Sequence, residues 1–230
     1  MESLKGRDLL SLANLSSNEI YSILQLAADM KVDKVQVAAP AKVLGLLFQK
    51  ASTRTRVSFS VAMCQLGGQV LDLNASMTQV SRGEPTIDTA RVLSRYLDVV
   101  AIRTFAQAEI EEFASYADIP VINALTDLEH PCQILADLQT IQENFGTLSG
   151  LTLTYLGDGN NVAHSLMLGC ALVGMNICIA APEGYAPKSS ILEQARELAG
   201  DRSSVSVTTD PVTAVADAQV LYTDVWASMG

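Results

Sequence analysis

The stretch VLGLLFQKASTRTRVSFSVAM, residues 43–63, decides the fold. Val43 to Phe48 is an unbroken apolar run of strand length, the pattern of a strand buried on both faces. Val57 to Met63 spaces its apolar residues for one face of a helix. Between the two lies Ser52-Thr53-Arg54-Thr55-Arg56. The first N–H groups of a helix lack intrahelical partners, and the positive end of its dipole lies there. A strand, a polar turn and a helix in that order therefore form an anion site. Ser52, Thr53 and Thr55 add hydroxyl donors, and Arg54 adds a planar fork suited to phosphate oxygens. The plainer use of the same residues is a cap at Ser52 or Thr53 followed by surface arginines.

Outward from this turn, the pattern repeats. Upstream, Ser16-Ser17-Asn18-Glu19 is a capping box opening a helix with Ile20, Ile23, Leu24, Ala27 and Met30 on one face. Downstream, residues 69–74 alternate like a strand, and a polar loop from Ala75 to Glu84 holds Gln79, Arg82 and Glu84. Pro85 takes the first position of a helix carrying Ile87, Ala90, Leu93, Ser94 and Leu97. Short strands follow at 99–102 and 121–124, with a helix at 106–116 between them. Three successive strands thus end in polar residues: Ser52–Arg56, Arg103-Thr104 and Asn123. A long helix runs from about Pro131 to Phe145 after His130. Gly146 to Gly150 is a hinge, and strand–helix alternation restarts at Leu151. The expected fold is α/β, with two doubly wound parallel-sheet domains, residues 1–146 and 147–230.

The 230 residues carry a net charge of −10 and 49% hydrophobic side chains. Packed cores are expected and a nucleic-acid partner is disfavoured. Local arginines can still dominate an anion site, because screening confines distant charge to about 8 Å. The four cysteines, Cys64, Cys132, Cys170 and Cys178, sit in apolar segments without a C-x-x-C pair. Buried free thiols and a reducing, cytoplasmic setting are expected. The apolar stretch from Leu166 to Ala181 is divided by Gly169, Gly174 and Asn176, so a helix and a buried strand explain it better than a membrane span.

Gly157-Asp158-Gly159-Asn160-Asn161-Val162 begins like a dinucleotide fingerprint after a strand. Val162 replaces the third glycine, and the next strand runs into Ala180-Ala181-Pro182 without an acidic residue. Asn160 and Asn161 offer amides at a helix start, as ligand contacts or as simple caps. His130-Pro131-Cys132-Gln133 opens a helix whose positive end should keep the imidazole neutral. It could then donate to a carbonyl, with Gln133 one turn along, or serve only as a cap. Cys132 has no activating base in view and is expected to pack. His164, inside a helix, is expected to be structural. Asp224, beyond the last strand, could hold an ammonium group or be a plain loop carboxylate.

Five segments together carry a family likeness: FQKASTRTRVSFSVAM (48–63), QVSRGEPTIDTARVLSRYLDVVAIRTF (79–105), HPCQ (130–133), GDGNNVAHS (157–165) and DVWASMG (224–230). In this order and spacing the chain resembles the aspartate/ornithine carbamoyltransferase family, and the D-x-W-x-S-M-G ending is similar to its ornithine branch. The resemblance implies transfer of a carbamoyl group from carbamoyl phosphate to L-ornithine, giving citrulline, in arginine biosynthesis. It implies that Ser52, Thr53, Arg54 and Thr55 form the phosphate loop. Arg103, His130 and Gln133 would bind the phosphate and carbamoyl group, with Arg54, Arg103 and His130 catalytic. Asn161, Asp224, Ser228 and Met229 would contact ornithine. Gln79 would reach a neighbouring subunit's site in a homotrimer. No metal, cofactor, nucleic acid or membrane is implied. Gln49 and Ser60 stand where the family often has glutamate. The family also continues to an H-C-L-P segment and terminal helices that this chain does not contain, so the resemblance implies a second domain incomplete at its C-terminus. A non-catalytic carbamoyl phosphate-binding remnant, or an oligomer partner, is therefore the alternative.

Overall fold

A computed structural model describes residues 4–74 and 78–224. Two compact units emerge, one of residues 4–10 and 29–127, the other of residues 11–28 and 128–224. Each is built on a four-stranded, all-parallel sheet flanked by helices.

The first sheet has the order β2-β1-β3-β4, with β1 at Val43–Phe48, β2 at Gln69–Asn74, β3 at Val99–Arg103 and β4 at Val121–Leu125. Its helices are α2 (Arg54–Gln65), α3 (Thr86–Leu93) and α4 (Gln107–Tyr116). Leu46, Val100, Ala101, Val121 and Ala124 are fully enclosed, as expected of strands covered on both faces. The outer edge of β4 is capped by the N-terminal segment. The Leu9 N–H donates to the Val121 carbonyl and the Asn123 N–H to that of Leu9, at 2.9 and 2.8 Å. An open edge would otherwise offer unpaired backbone groups.

The second sheet has the order β7-β6-β5-β8, with β5 at Thr152–Leu156, β6 at Asn176–Ala180, β7 at Val205–Thr208 and β8 at Val220–Thr223. With it lie α5 (Pro131–Phe145), α6 (Asn161–Val173), α7 (Ser189–Ala199), α8 (Pro211–Val215) and most of α1 (Ser17–Lys31). The α1 capping box forms in both directions: the Ser16 N–H donates to Glu19 Oε2 at 2.7 Å and the Glu19 N–H to Ser16 Oγ at 3.3 Å. In α6 every residue from Val162 to Val173 is buried. A helix enclosed all round is apolar all round, which explains its likeness to a membrane span. Gly169 lets Ile134 of α5 approach; a Cβ there would lie 2.8 Å from its Cγ2. Among the described residues no helix is long and apolar enough to cross a membrane.

Several local expectations shift. Helix α2 starts at Arg54, inside the polar turn, three residues before its apolar face. Pro85 is the cap of α3 and not its first residue, and α3 ends at Leu93. There the Ser94 hydroxyl bonds back to the Ala90 carbonyl at 2.7 Å and accepts from the Asp118 N–H at 3.0 Å, closing the helix before Leu97. The polar loop tightens into a 3-10 turn at Gln79–Arg82, stopped by Gly83 at φ 84°. Cys64 is exposed, not buried, because it lies on the outward side of α2.

Candidate functional site

In an open parallel sheet, ligands settle beyond the carboxyl ends of the strands, where the strand order reverses. In the first sheet that point lies between β1 and β3. Phe48 and Arg103 are register partners at the ends of these strands. The Ser52–Thr55 turn and Arg103 therefore leave the sheet side by side. The loops are laced together: the Gln49 N–H donates to the Arg103 carbonyl at 2.8 Å, that of Thr104 to Leu125 at 3.0 Å, and that of Asp127 to Phe105 at 2.8 Å. Lys50 pairs with Asp127 and lies 4.4 Å from the centroid of the Phe105 ring. Beside Arg103 the register shifts, with Ala124 as the extra residue of β4. Such bulges re-aim a strand end.

Two arginines that look equivalent in the sequence differ here. Arg56 is engaged, paired with Asp72 of β2 and 5.0 Å from the Phe48 ring centroid. Arg54 is exposed and has no ion-pair partner among the described residues. Thr53 is the α2 cap residue, yet its side chain makes no capping bond, so its hydroxyl stays available. Arg103 is half-buried, and its Nε has no hydrogen-bond partner among the described residues. Burial holds its guanidinium below the usual range, the signature of a desolvated cation without a fixed counter-charge. Asn123 and Thr104, by contrast, are structural. The strand continues past Asn123, whose Nδ2 donates to the Leu10 carbonyl at 2.8 Å. The Thr104 hydroxyl donates to Glu109.

In the second sheet the order reverses between β5 and β8. Their last residues, Leu156 and Thr223, are register partners, so the Asn160-Asn161 turn and Asp224 share one edge. Asn160 is the cap of α6, accepting from the Val162 and Ala163 N–H groups at 3.0 and 3.3 Å. Asn161 is the first helical residue of α6. Asp224 is exposed. Ser228 and Met229 lie outside the described residues. The dinucleotide alternative meets a steric block: a Cβ on Gly159 would sit 2.2 Å from the Pro187 nitrogen. The space that a fingerprint glycine clears for pyrophosphate is filled here by backbone.

His130 is the cap residue of α5, followed by Pro131, and its backbone N–H donates to Ser165 Oγ at 2.8 Å. Gln133, one turn along, is exposed and donates through Nε2 to Asp137 Oδ1 at 2.9 Å. Burial pushes the Cys132 thiol up to about 12, so it stays protonated at neutral pH and is no nucleophile.

His164 braces this turn. Its Nδ1 lies 2.9 Å from the Leu128 carbonyl, and its Nε2 accepts from the Lys188 N–H at 3.1 Å. The ring is therefore the neutral Nδ1–H tautomer. Burial, the largest influence, lowers its pKa below the ordinary value. Its contribution to stability is complete above about 6.5, the unfolded value, and is lost as pH falls through the folded one. Nitrogen-detected NMR is expected to show Nδ1 protonated and the ring neutral below that value; a ring that charges above it would refute the assignment.

Two family profiles cover almost the whole chain. Residues 7–143 match the aspartate/ornithine carbamoyltransferase carbamoyl-P binding domain, and residues 149–230 match the Asp/Orn binding domain. Residues 144–148 lie between the two matches. Among curated proteins, the ornithine carbamoyltransferase of Nostoc punctiforme is 67% identical over 230 residues, all of this chain and 75% of the relative. That of Thermosynechococcus vestitus is 68% identical, over all of this chain and 74% of the relative. Among solved structures, the ornithine carbamoyltransferase of Pyrococcus furiosus superposes with a TM-score of 0.95 at 49% identity, over all of this chain and 75% of that one. The chain thus spans about three quarters of the length of these relatives.

Proposed function

We propose, because this chain belongs to the aspartate/ornithine carbamoyltransferase family, that it transfers the carbamoyl group of carbamoyl phosphate to the δ-amine of L-ornithine, giving L-citrulline and phosphate. The observation that carries this reading is the register pairing of Phe48, which leads into Ser52–Thr55, with Arg103, whose Nε has no hydrogen-bond partner among the described residues. Ser52, Thr53, Arg54, Thr55 and Arg103 take the phosphate; His130 and Gln133 take the carbamoyl group. The amine lone pair attacks the carbamoyl carbon, the carbon–oxygen bond to phosphate breaks, and the amine proton passes to the departing phosphate. His130, as a neutral donor, steadies the developing oxyanion, while Arg54 and Arg103 steady the departing phosphate. Asp224 holds an ammonium group of ornithine and Asn161 its polar end, with Ser228 and Met229 as further contacts.

The same reading includes a homotrimer, with Gln79 serving a neighbour's site. Exposed apolar residues support it: Val57 and Val61 of α2 are 54% and 48% accessible, and Leu71 of β2 46%. A surface of this kind favours association. A cytoplasmic role in arginine biosynthesis accords with four free thiols and a reducing compartment.

One preparation tests the proposal. With carbamoyl phosphate and L-ornithine the protein is expected to release citrulline and phosphate in equal amounts, with no product from L-aspartate, and to sediment as a trimer. Carbamoyl phosphate binding without citrulline would refute the transferase reading. A monomer at micromolar concentration would refute the assembly.

A further inference from the structure

We infer that Asp137 is a specificity-determining positioning residue: it grips the NH2 end of the Gln133 side chain, so that Gln133 presents its carbonyl oxygen, an acceptor, to the carbamoyl NH2. The inference rests on the proposal that Gln133 addresses the carbamoyl group.

An amide can point either end at a ligand, and its neighbours decide which. Gln133 Nε2 lies 2.9 Å from Asp137 Oδ1. An ionised carboxylate only accepts hydrogen bonds, so the end facing it is the donor end. The free end is then Oε1. Asp137 is itself held from the other side. Its Oδ2 accepts from the Tyr222 hydroxyl at 3.0 Å, across 85 residues of sequence. Tyr222 in turn stacks on Tyr155 of β5, with ring centroids 5.9 Å apart. Both carboxylate oxygens are therefore fixed, and the carboxylate cannot turn to free Gln133 without giving up Tyr222. Burial raises the Asp137 carboxyl above its ordinary range, while the donors Gln133 and Tyr222 pull it back.

The consequence concerns the ligand. Carbamoyl phosphate and acetyl phosphate share shape and charge, but one ends in NH2 and the other in CH3. A fixed acceptor rewards the first and is left unpaired by the second. Sites that hydrogen-bond a substrate group reject analogues lacking it far more strongly than apolar pockets do.

The test is the ratio of affinities for carbamoyl phosphate and acetyl phosphate, measured by calorimetry on the purified protein. The parent is expected to prefer carbamoyl phosphate about tenfold or more, the worth of one good hydrogen bond. Asp137→Asn offers an amide that can face Gln133 with either end. It should bring the ratio towards unity while leaving acetyl phosphate affinity unchanged. Tyr222→Phe removes one brace and no charge, and should lower the ratio by a smaller factor; it keeps the test decisive should Asp137→Asn fail to fold. An unchanged ratio in the folded variants would overturn the inference. So would a parallel loss of both affinities, which would mean general loosening. Gln133→Ala separates the two levels. If it leaves carbamoyl phosphate affinity intact, the placement of Gln133 at the ligand fails; if it weakens binding while the Asp137 and Tyr222 variants keep the ratio, only the present inference fails.

Discussion

Replacing Arg103 by methionine is expected to weaken carbamoyl phosphate binding by about 3 kcal/mol, roughly a hundredfold, without lowering the melting temperature. The two expectations come from one observation. The Arg103 guanidinium is half-buried, and its Nε has no partner among the described residues. Burial depresses its pKa, and no counter-charge is among the causes that act on it. A desolvated cation of this kind costs the free protein stability and is compensated only when an anion arrives. Methionine keeps an apolar stem of similar reach and removes the charge. Binding should therefore fall while stability holds or rises, the usual exchange at a site built for a ligand. Calorimetric titration and thermal unfolding of the same variant would read both. A lower melting temperature with unchanged affinity would make Arg103 a structural residue.

The second large effect falls on stability. Glu129 is 2% exposed, and its Oε2 accepts from the Leu12 backbone N–H at 3.1 Å and from Ser165 Oγ at 3.5 Å. Leu12 is itself fully buried. Glu129→Ala leaves that N–H without its carboxylate inside the protein and opens space beside it. A loss of about 3 kcal/mol in unfolding free energy is expected. Ser165 also accepts from the backbone of His130, so the turn carrying His130 should loosen together with the fold. Glu129→Gln retains an acceptor oxygen for Leu12 and should recover much of the loss. Urea unfolding of the three proteins would decide the matter; an alanine variant within about 0.5 kcal/mol of the parent would remove Glu129 from this role.

Much of this architecture was legible from residues alone, for a physical reason. Helix and strand identity follow from apolar periodicity and from caps, and both act within a few residues. Hence the Ser16–Glu19 box and the Pro131–Phe145 helix appear where local pattern puts them. Alternation of short apolar strands with helices leaves few topologies other than parallel sheets. The placing of Ser52–Thr55 and Arg103 at the carboxyl ends of strands was also foreseeable, since each stands where an apolar run gives way to polar residues.

Tertiary structure alone decided how chemically identical groups divide their work. Arg54 and Arg56 are two residues apart and alike in type. Arg56 meets Asp72 because β1 and β2 align Leu46 with Asp72 and Phe48 with Asn74, a matter of register that local pattern does not contain. Asn123 reads as the end of a strand until β4 is seen to run on to Leu125 and the Leu10 carbonyl to claim its amide. The tautomer of His164 is set by Leu128 and Lys188, 36 and 24 residues away. Asp137 looks like an ordinary helix carboxylate until Tyr222 arrives from β8. Sequence determined which elements form, because those forces are local. Folding determined which polar groups are consumed and which stay free, because hydrogen-bond partners are set by register and burial across long stretches of chain.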